Sequence, residues 1–184
     1  IPAYKLNNNI IDRWLKWREV HGVKLVSCTE VGKGIKSRSL IRDYDAFCVA
    51  SASQVPCGRP VEGRDLKGVY VAMEFLTMEN RLVAKELIPS DQIIDAKGKN
   101  VLVIGGGDTG SDCIGTANRQ GAANILQIEI LPKPPALEDI ANPWPESFPV
   151  VLKTSSSHKE GCERRWSLNT RRFMGEDGVL TAVE

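Results

Sequence analysis

The 184-residue sequence has two histidines, three methionines and only 6% aromatic residues, and its five cysteines show neither a CxxC pair nor a metal-ligand spacing. Those absences argue against a zinc ribbon or a redox dithiol and leave free thiols in a reducing cytoplasm as the expectation. Charge of one sign is also missing. Lys plus Arg number 24 against 23 Asp plus Glu, a formal net charge of +1, so no field exists to collect nucleic acid or an anionic membrane. The apolar runs are far shorter than the roughly 20 residues that cross a bilayer. A small polar or charged ligand is therefore the expected partner, with no nucleic acid and no membrane. The start at Ile1 without Met, and the end at Glu184 inside a strand-like stretch, predict a piece of a longer polypeptide.

What is present is an alternation of helical and strand-like patterns. Ile10, Ile11, Trp14, Leu15 and Trp17 recur at helical spacing over 9–20, between N-capping asparagines and Gly22. Residues 23–28 and 44–51 read as strands, the second one buried, with a turn in VGKGIKSRSL between them. The stretch 51–68 gathers Pro56, Gly58, Pro60, Gly63 and Gly68 and reads as a linker or domain crossing, which places a domain boundary near residue 58. Residues 69–77 are apolar enough for either a helix or a strand. Six prolines between 132 and 149 exclude regular structure there. A short helix over 155–160, a strand over 162–168 and a hairpin around GEDG complete the chain.

The densest signal is VLVIGGGDTGSDCIGTANRQGAANILQIEIL, residues 101–131. A compact apolar strand runs into Gly105, Gly107 and Gly110 at GxGxxG spacing, a helix opens at about Asp108 and stops at Gly121, and a second strand covers 123–131. This is a complete βαβ unit of the dinucleotide-binding type. Gly105 permits the tight turn out of the strand, Gly107 lets a pyrophosphate approach the backbone, and Gly110 lets the helix pack closely on the sheet. Gly106, Asp108 and Thr109 complete the loop, whose helix N-terminus presents free N–H groups to a phosphate. About 20 residues further on, Glu129 stands where an acid bonds the ribose 2′-hydroxyl of NADH. Lys133 would instead meet the 2′-phosphate of NADPH, so the choice stays open, with NADH favoured.

IGGGDTGSDCIGT, the EILPKPP of 129–135, the NPWP of 142–145, the VAMEFLT of 71–77 and the opening IPAYKL together resemble the small-subunit family of glutamate synthase, over nearly the whole chain. The resemblance implies an α/β fold, a Rossmann-like nucleotide-binding domain of the two-dinucleotide-binding-domain flavoprotein type with a C-terminal β-hairpin and part of a second α/β domain. Residues 1–57 would be part of an FAD-binding domain, and 58–184 most of an NAD(P)H-binding domain. The implied activity is that of an oxidoreductase: hydride transfer from NAD(P)H to FAD, then electron passage through iron–sulfur clusters lying outside these residues to a large subunit that makes glutamate. Gly105, Gly107, Asp108, Thr109 and Gly110 match the family's pyridine-nucleotide loop. Ala50, Ser51 and Ala52 depart from its usual Ala-Thr-Gly. The alternatives are a nucleotide-binding module of another flavin and iron–sulfur oxidoreductase, or a non-catalytic nucleotide sensor.

Elsewhere the expectations are structural. His21 and His158 are read as solvated or capping residues, Cys113 as a small buried one, and Cys57 as exposed. Trp14, Trp17 and Trp166 are read as packing residues and Trp144 as a domain contact. Arg164, Arg165, Arg171 and Arg172 read as a solvated hairpin face, or as a clamp for a 2′-phosphate or the large subunit.

Overall fold

The computed structural model describes residues 1–50, 61–136 and 151–184. It divides into two compact units, Leu6–Pro56 and a larger one in which Ile1–Lys5 joins Cys57–Glu184.

In the larger unit, strand β1 (Asn100–Ile104), helix α4 (Asp108–Gln120) and strand β2 (Asn124–Glu129) form the βαβ crossover that the glycine spacing predicts. β1 pairs with β2 in parallel, from Asn100 opposite Asn124 to Ile104 opposite Ile128. On the other edge of β2 lies β3 (Glu163–Trp166), also parallel, with Gln127 opposite Arg164 and Glu129 opposite Trp166. The sheet order is β1-β2-β3. α4 ends where Gly121 takes the left-handed conformation at φ 84°, which a residue with a Cβ adopts only at a cost.

The core lies around α4 and α3 (Ala72–Val83), the helical alternative for the 69–77 stretch. Phe75, Leu76 and Met78 of α3 cluster with Cys113, Ile114 and Ala117 of α4 and with Val103 and Ile125 of the sheet. The Ile1–Lys5 segment lies on the same helix. Tyr4 donates its hydroxyl to the Asp112 carbonyl at 2.9 Å, Arg119 stacks 3.6 Å over the Tyr4 ring, and Lys5 pairs with Asp112. The short helix α5 (Ser156–Lys159) also packs on α4, near Gly115, where an added Cβ would collide with Tyr4 and Ser157.

The C-terminal hairpin is β4 (Phe173–Glu176) against β5 (Val179–Val183), antiparallel. Its two loop residues, Asp177 and Gly178, have φ of 49° and 75°, the left-handed pair that matches strand twist in a two-residue turn. Residues 61–68 correct the linker expectation. Glu62 and Lys67 bridge to Arg172 and Val179; across that seam the Lys67 N–H donates to the Gly178 carbonyl, and the Lys67 carbonyl accepts the Leu180 N–H. Backbone hydrogen bonds to a hairpin edge need no apolar pattern, so a Gly-rich stretch takes fixed structure without one. Residues 51–60, with Cys57 and the proposed boundary, lie outside the described residues, as do 137–150 with NPWP and Trp144.

The smaller unit holds α1 (Asn8–Val20), capped by the Asn7 side chain, and α2 (Ser37–Asp43). α2 falls where a turn was expected, since seven residues are too few to show a helical period. The strands expected over 23–28 and 44–51 do not form: 23–28 and 44–50 carry no ladder, and Phe47 and Val49 are 62% and 76% exposed. Alternating side chains favour a strand, but a strand exists only where a neighbour completes its ladder. Among the described residues none does so here.

Candidate functional site

β1 delivers the chain to Gly105, whose φ of 117° makes the turn that only glycine takes readily, and whose N–H bonds the Ile128 carbonyl at 2.9 Å. Gly107 is the N-cap of α4 at φ −78°, and no side-chain cap covers the helix start. A Cβ added at Gly107 would meet nothing within 4 Å. At Gly110 it would stand 2.5 Å from the Gly105 carbonyl oxygen, 3.2 Å from Gln127 Nε2 and 3.4 Å from Val103 Cγ1. The two glycines therefore act oppositely: Gly110 is the contact between helix and strand, and Gly107 faces open space. Gly107, Asp108 and Thr109 are exposed. An anion reaching this corner would meet uncapped N–H groups and the positive end of a 13-residue helix.

Glu129 ends β2 directly beside the loop. One carboxylate oxygen accepts the Gly106 N–H, and the other accepts the Leu131 N–H at 3.3 Å. The carboxylate lies so close over Gly106 that an added Cβ would come 2.5 Å from Oε2, so a side chain at the middle position would displace the Glu129 carboxylate. The sequence reading gave Gly106 no task of its own. The Lys133 ammonium stands 5.1 Å from the Trp166 ring centroid, and the Arg164 guanidinium stands 5.1 Å from the same ring. Trp166 is opposite Glu129 in the ladder, on the β3 side of β2, whereas the glycines follow β1 on its other side. The rest of the basic run is elsewhere. Arg165 pairs with Glu163, and Arg171 and Arg172 pair with Glu184 in the hairpin unit.

Beneath the loop lies a polar group that the sequence reading passed over. Gln127, 2% exposed, donates from Nε2 to the Gly105 carbonyl at 2.8 Å. Its Oε1 lies 3.1 Å from both His158 Nε2 and Arg164 Nε. His158 completes a capping box at the start of α5: its own N–H bonds Ser155 Oγ, and its Nδ1 accepts the Ser155 N–H at 3.0 Å. Because Nδ1 accepts, the ring proton sits on Nε2 and points at Gln127. Burial, and then the charges of Arg164 and Lys5, hold His158 below the ordinary imidazole range, against an opposing pull from Asp108. The available signal was a single glutamine between Leu126 and Ile128 in the middle of a largely apolar strand. His21 caps too, with Nδ1 2.8 Å from the Trp17 carbonyl oxygen at the end of α1. Cys113 is buried in α4, and burial, with Asp112 adding to it, pushes its thiol up to about 12.

No family model matches the chain. Curated relatives do. The glutamate synthase [NADPH] small chain of Mycobacterium tuberculosis is 39% identical over 186 residues, covering all of this chain and 38% of the relative. The glutamate synthase [NADH] of Schizosaccharomyces pombe is 38% identical over 192 residues, covering all of this chain and 9% of that protein. The Bacillus subtilis glutamate synthase [NADPH] small chain is 37% identical over 173 residues, covering 94% of this chain and 35% of the relative. Over its length, the chain belongs to the glutamate synthase small-chain family. It spans little more than a third of the bacterial small chains it matches. The relatives' names divide between the two coenzymes, and this chain carries both candidate determinants, Glu129 at the loop and Lys133 beside Trp166. Among the described residues, no helix is long and apolar enough to cross a membrane.

Proposed function

We propose that this chain is the electron-input part of a glutamate synthase small subunit, in which 58–184 bind NAD(P)H and 1–57 contribute to an FAD-binding domain. The observation that carries the coenzyme assignment is the open corner at Gly107, in front of an uncapped helix and beside a close-packed Gly110. Gly105, Gly106, Gly107, Asp108, Thr109 and Gly110 would hold the diphosphate. Glu129 would meet the adenosine ribose, which favours NADH, whereas Lys133 would instead meet the 2′-phosphate of NADPH. The coenzyme supplies a hydride for FAD. The protein's part is to hold the diphosphate against backbone amides and so fix where the dinucleotide lies. In this reading, electrons continue through iron–sulfur clusters of the full-length subunit to a large subunit, which forms L-glutamate from glutamine and 2-oxoglutarate in the cytoplasm. No described residue of the smaller unit is assigned a flavin contact, and no catalytic acid or base is assigned.

The test is reduction of the full-length protein under anaerobic conditions. Bleaching of a flavin band by NADH or NADPH, with ferricyanide reduction following the same coenzyme preference, is the expected result. Tight NADH binding by a protein with no bound flavin would overturn the electron-input reading and favour a nucleotide sensor.

A further inference from the structure

The Gly105–Gly106 peptide is gripped at both ends by one strand. Its carbonyl accepts from Gln127 Nε2, and its N–H donates to Glu129 Oε2. Residues 127 and 129 are two apart on β2, so they project from the same face of the sheet. Glycines on both sides of the peptide leave it little intrinsic resistance to flipping, since neither residue carries a Cβ to bar the alternative dihedrals. A flip would turn the carbonyl toward a carboxylate and the N–H toward an amide that already has donors around it.

The Gln127 amide is itself fixed. Its Oε1 faces the Nε2–H of His158 from α5 and the Nε–H of Arg164 from β3, so reversing the amide would set its NH2 against two donors. The chain of bonds runs from the α5 capping box, through His158 and Gln127, to the first carbonyl of the glycine loop. The site is buried, so each partner lost leaves an unmet polar group.

From this we infer that Gln127 is a positioning residue for the coenzyme: with Glu129 it clamps the Gly105–Gly106 peptide and so presets the backbone that meets the diphosphate. The inference rests on the glycine loop being the NAD(P)H site. The clamp acts on the diphosphate, which NADH and NADPH share, so its loss weakens both coenzymes equally. A loss at the 2′ position would separate them.

The test uses the full-length protein with Gln127→Glu and Gln127→Met. The first keeps both acceptor bonds but replaces the donor to Gly105 with a carboxylate oxygen. The second matches the volume and removes every bond. Calorimetric titration should show NADH and NADPH binding weakened alike by about 10- to 100-fold. Hydrogen exchange across 101–110 should be faster in the variants, and the saturating rate of ferricyanide reduction should stay within about twofold while KM rises. Where Gln127→Glu melts too low to titrate, Gln127→Met decides. Wild-type affinity with slow exchange in either folded variant overturns the clamp while leaving the coenzyme site intact. A wild-type protein that binds neither coenzyme overturns the site, and the clamp with it.

Discussion

Two alanine substitutions three residues apart, Gly107→Ala and Gly110→Ala, should have opposite effects on folding and binding. At Gly107 the backbone is extended, φ −78° and ψ −178°, and a Cβ meets nothing within 4 Å. Alanine is a poorer N-cap than glycine by a few tenths to about 1 kcal/mol, yet it removes unfolded-state freedom worth about 0.4–1 kcal/mol, so stability should change by less than about 1 kcal/mol. The methyl group would, however, stand in the path of the diphosphate. If it prevents two charge-assisted N–H bonds of about 1.5 kcal/mol each, the loss is about 3 kcal/mol, or roughly 100-fold in affinity. At Gly110 the Cβ would lie 2.5 Å from a backbone oxygen, so helix and strand must part by roughly 0.5–1 Å. Overpacking of that kind costs about 1–3 kcal/mol, offset by up to about 1 kcal/mol of helix propensity. Thermal melting and NADH titration of both variants are the assay. Gly107→Ala should melt like wild type and bind poorly, whereas Gly110→Ala should melt lower. Undiminished NADH affinity in Gly107→Ala would refute the diphosphate path, and a melting loss there equal to that of Gly110→Ala would refute the open corner.

Further outcomes follow from the same geometry. Glu129→Ala should weaken NADH more than NADPH, and equal losses in titration would remove the 2′-hydroxyl role. Cys113, buried and pushed up to about 12, should resist alkylation at pH 8 until the protein unfolds; peptide mapping after iodoacetamide treatment checks this, and early labelling of Cys113 would contradict its burial. The folded state lowers the affinity of His158 for a proton below its ordinary value of 6.5, so its contribution to stability is present above that pH and is lost as pH falls through the folded value. Urea midpoints should therefore fall more between pH 7 and pH 5 in the wild type than in His158→Gln, and parallel curves would exclude the effect.

The glycine corner was legible because its information is local. β1, α4 and β2 appear where the apolar runs and glycines place them, and the left-handed φ values of Gly105, Gly121 and Gly178 fall at the turns the sequence marks. Turn chemistry and helical period act over a few neighbouring residues, so they can be read without the fold. The two strands expected over 23–28 and 44–51 failed for the converse reason. Their patterns were favourable, but a ladder depends on what lies alongside, and no run of side chains states that.

The sequence by itself determined a nucleotide-type βαβ turn, a hairpin and a chain whose charges nearly balance. Only the tertiary structure decided that Gly106 lies under the Glu129 carboxylate, that Lys133 and Arg164 both approach the Trp166 ring, and that residues 61–68 close onto the hairpin. It alone joined Gln127 to Gly105, His158 and Arg164, residues 22, 31 and 37 positions distant. Conformational preference is a property of adjacent residues, whereas hydrogen-bond partnership at such separations exists only once strand register and helix packing have brought the groups together.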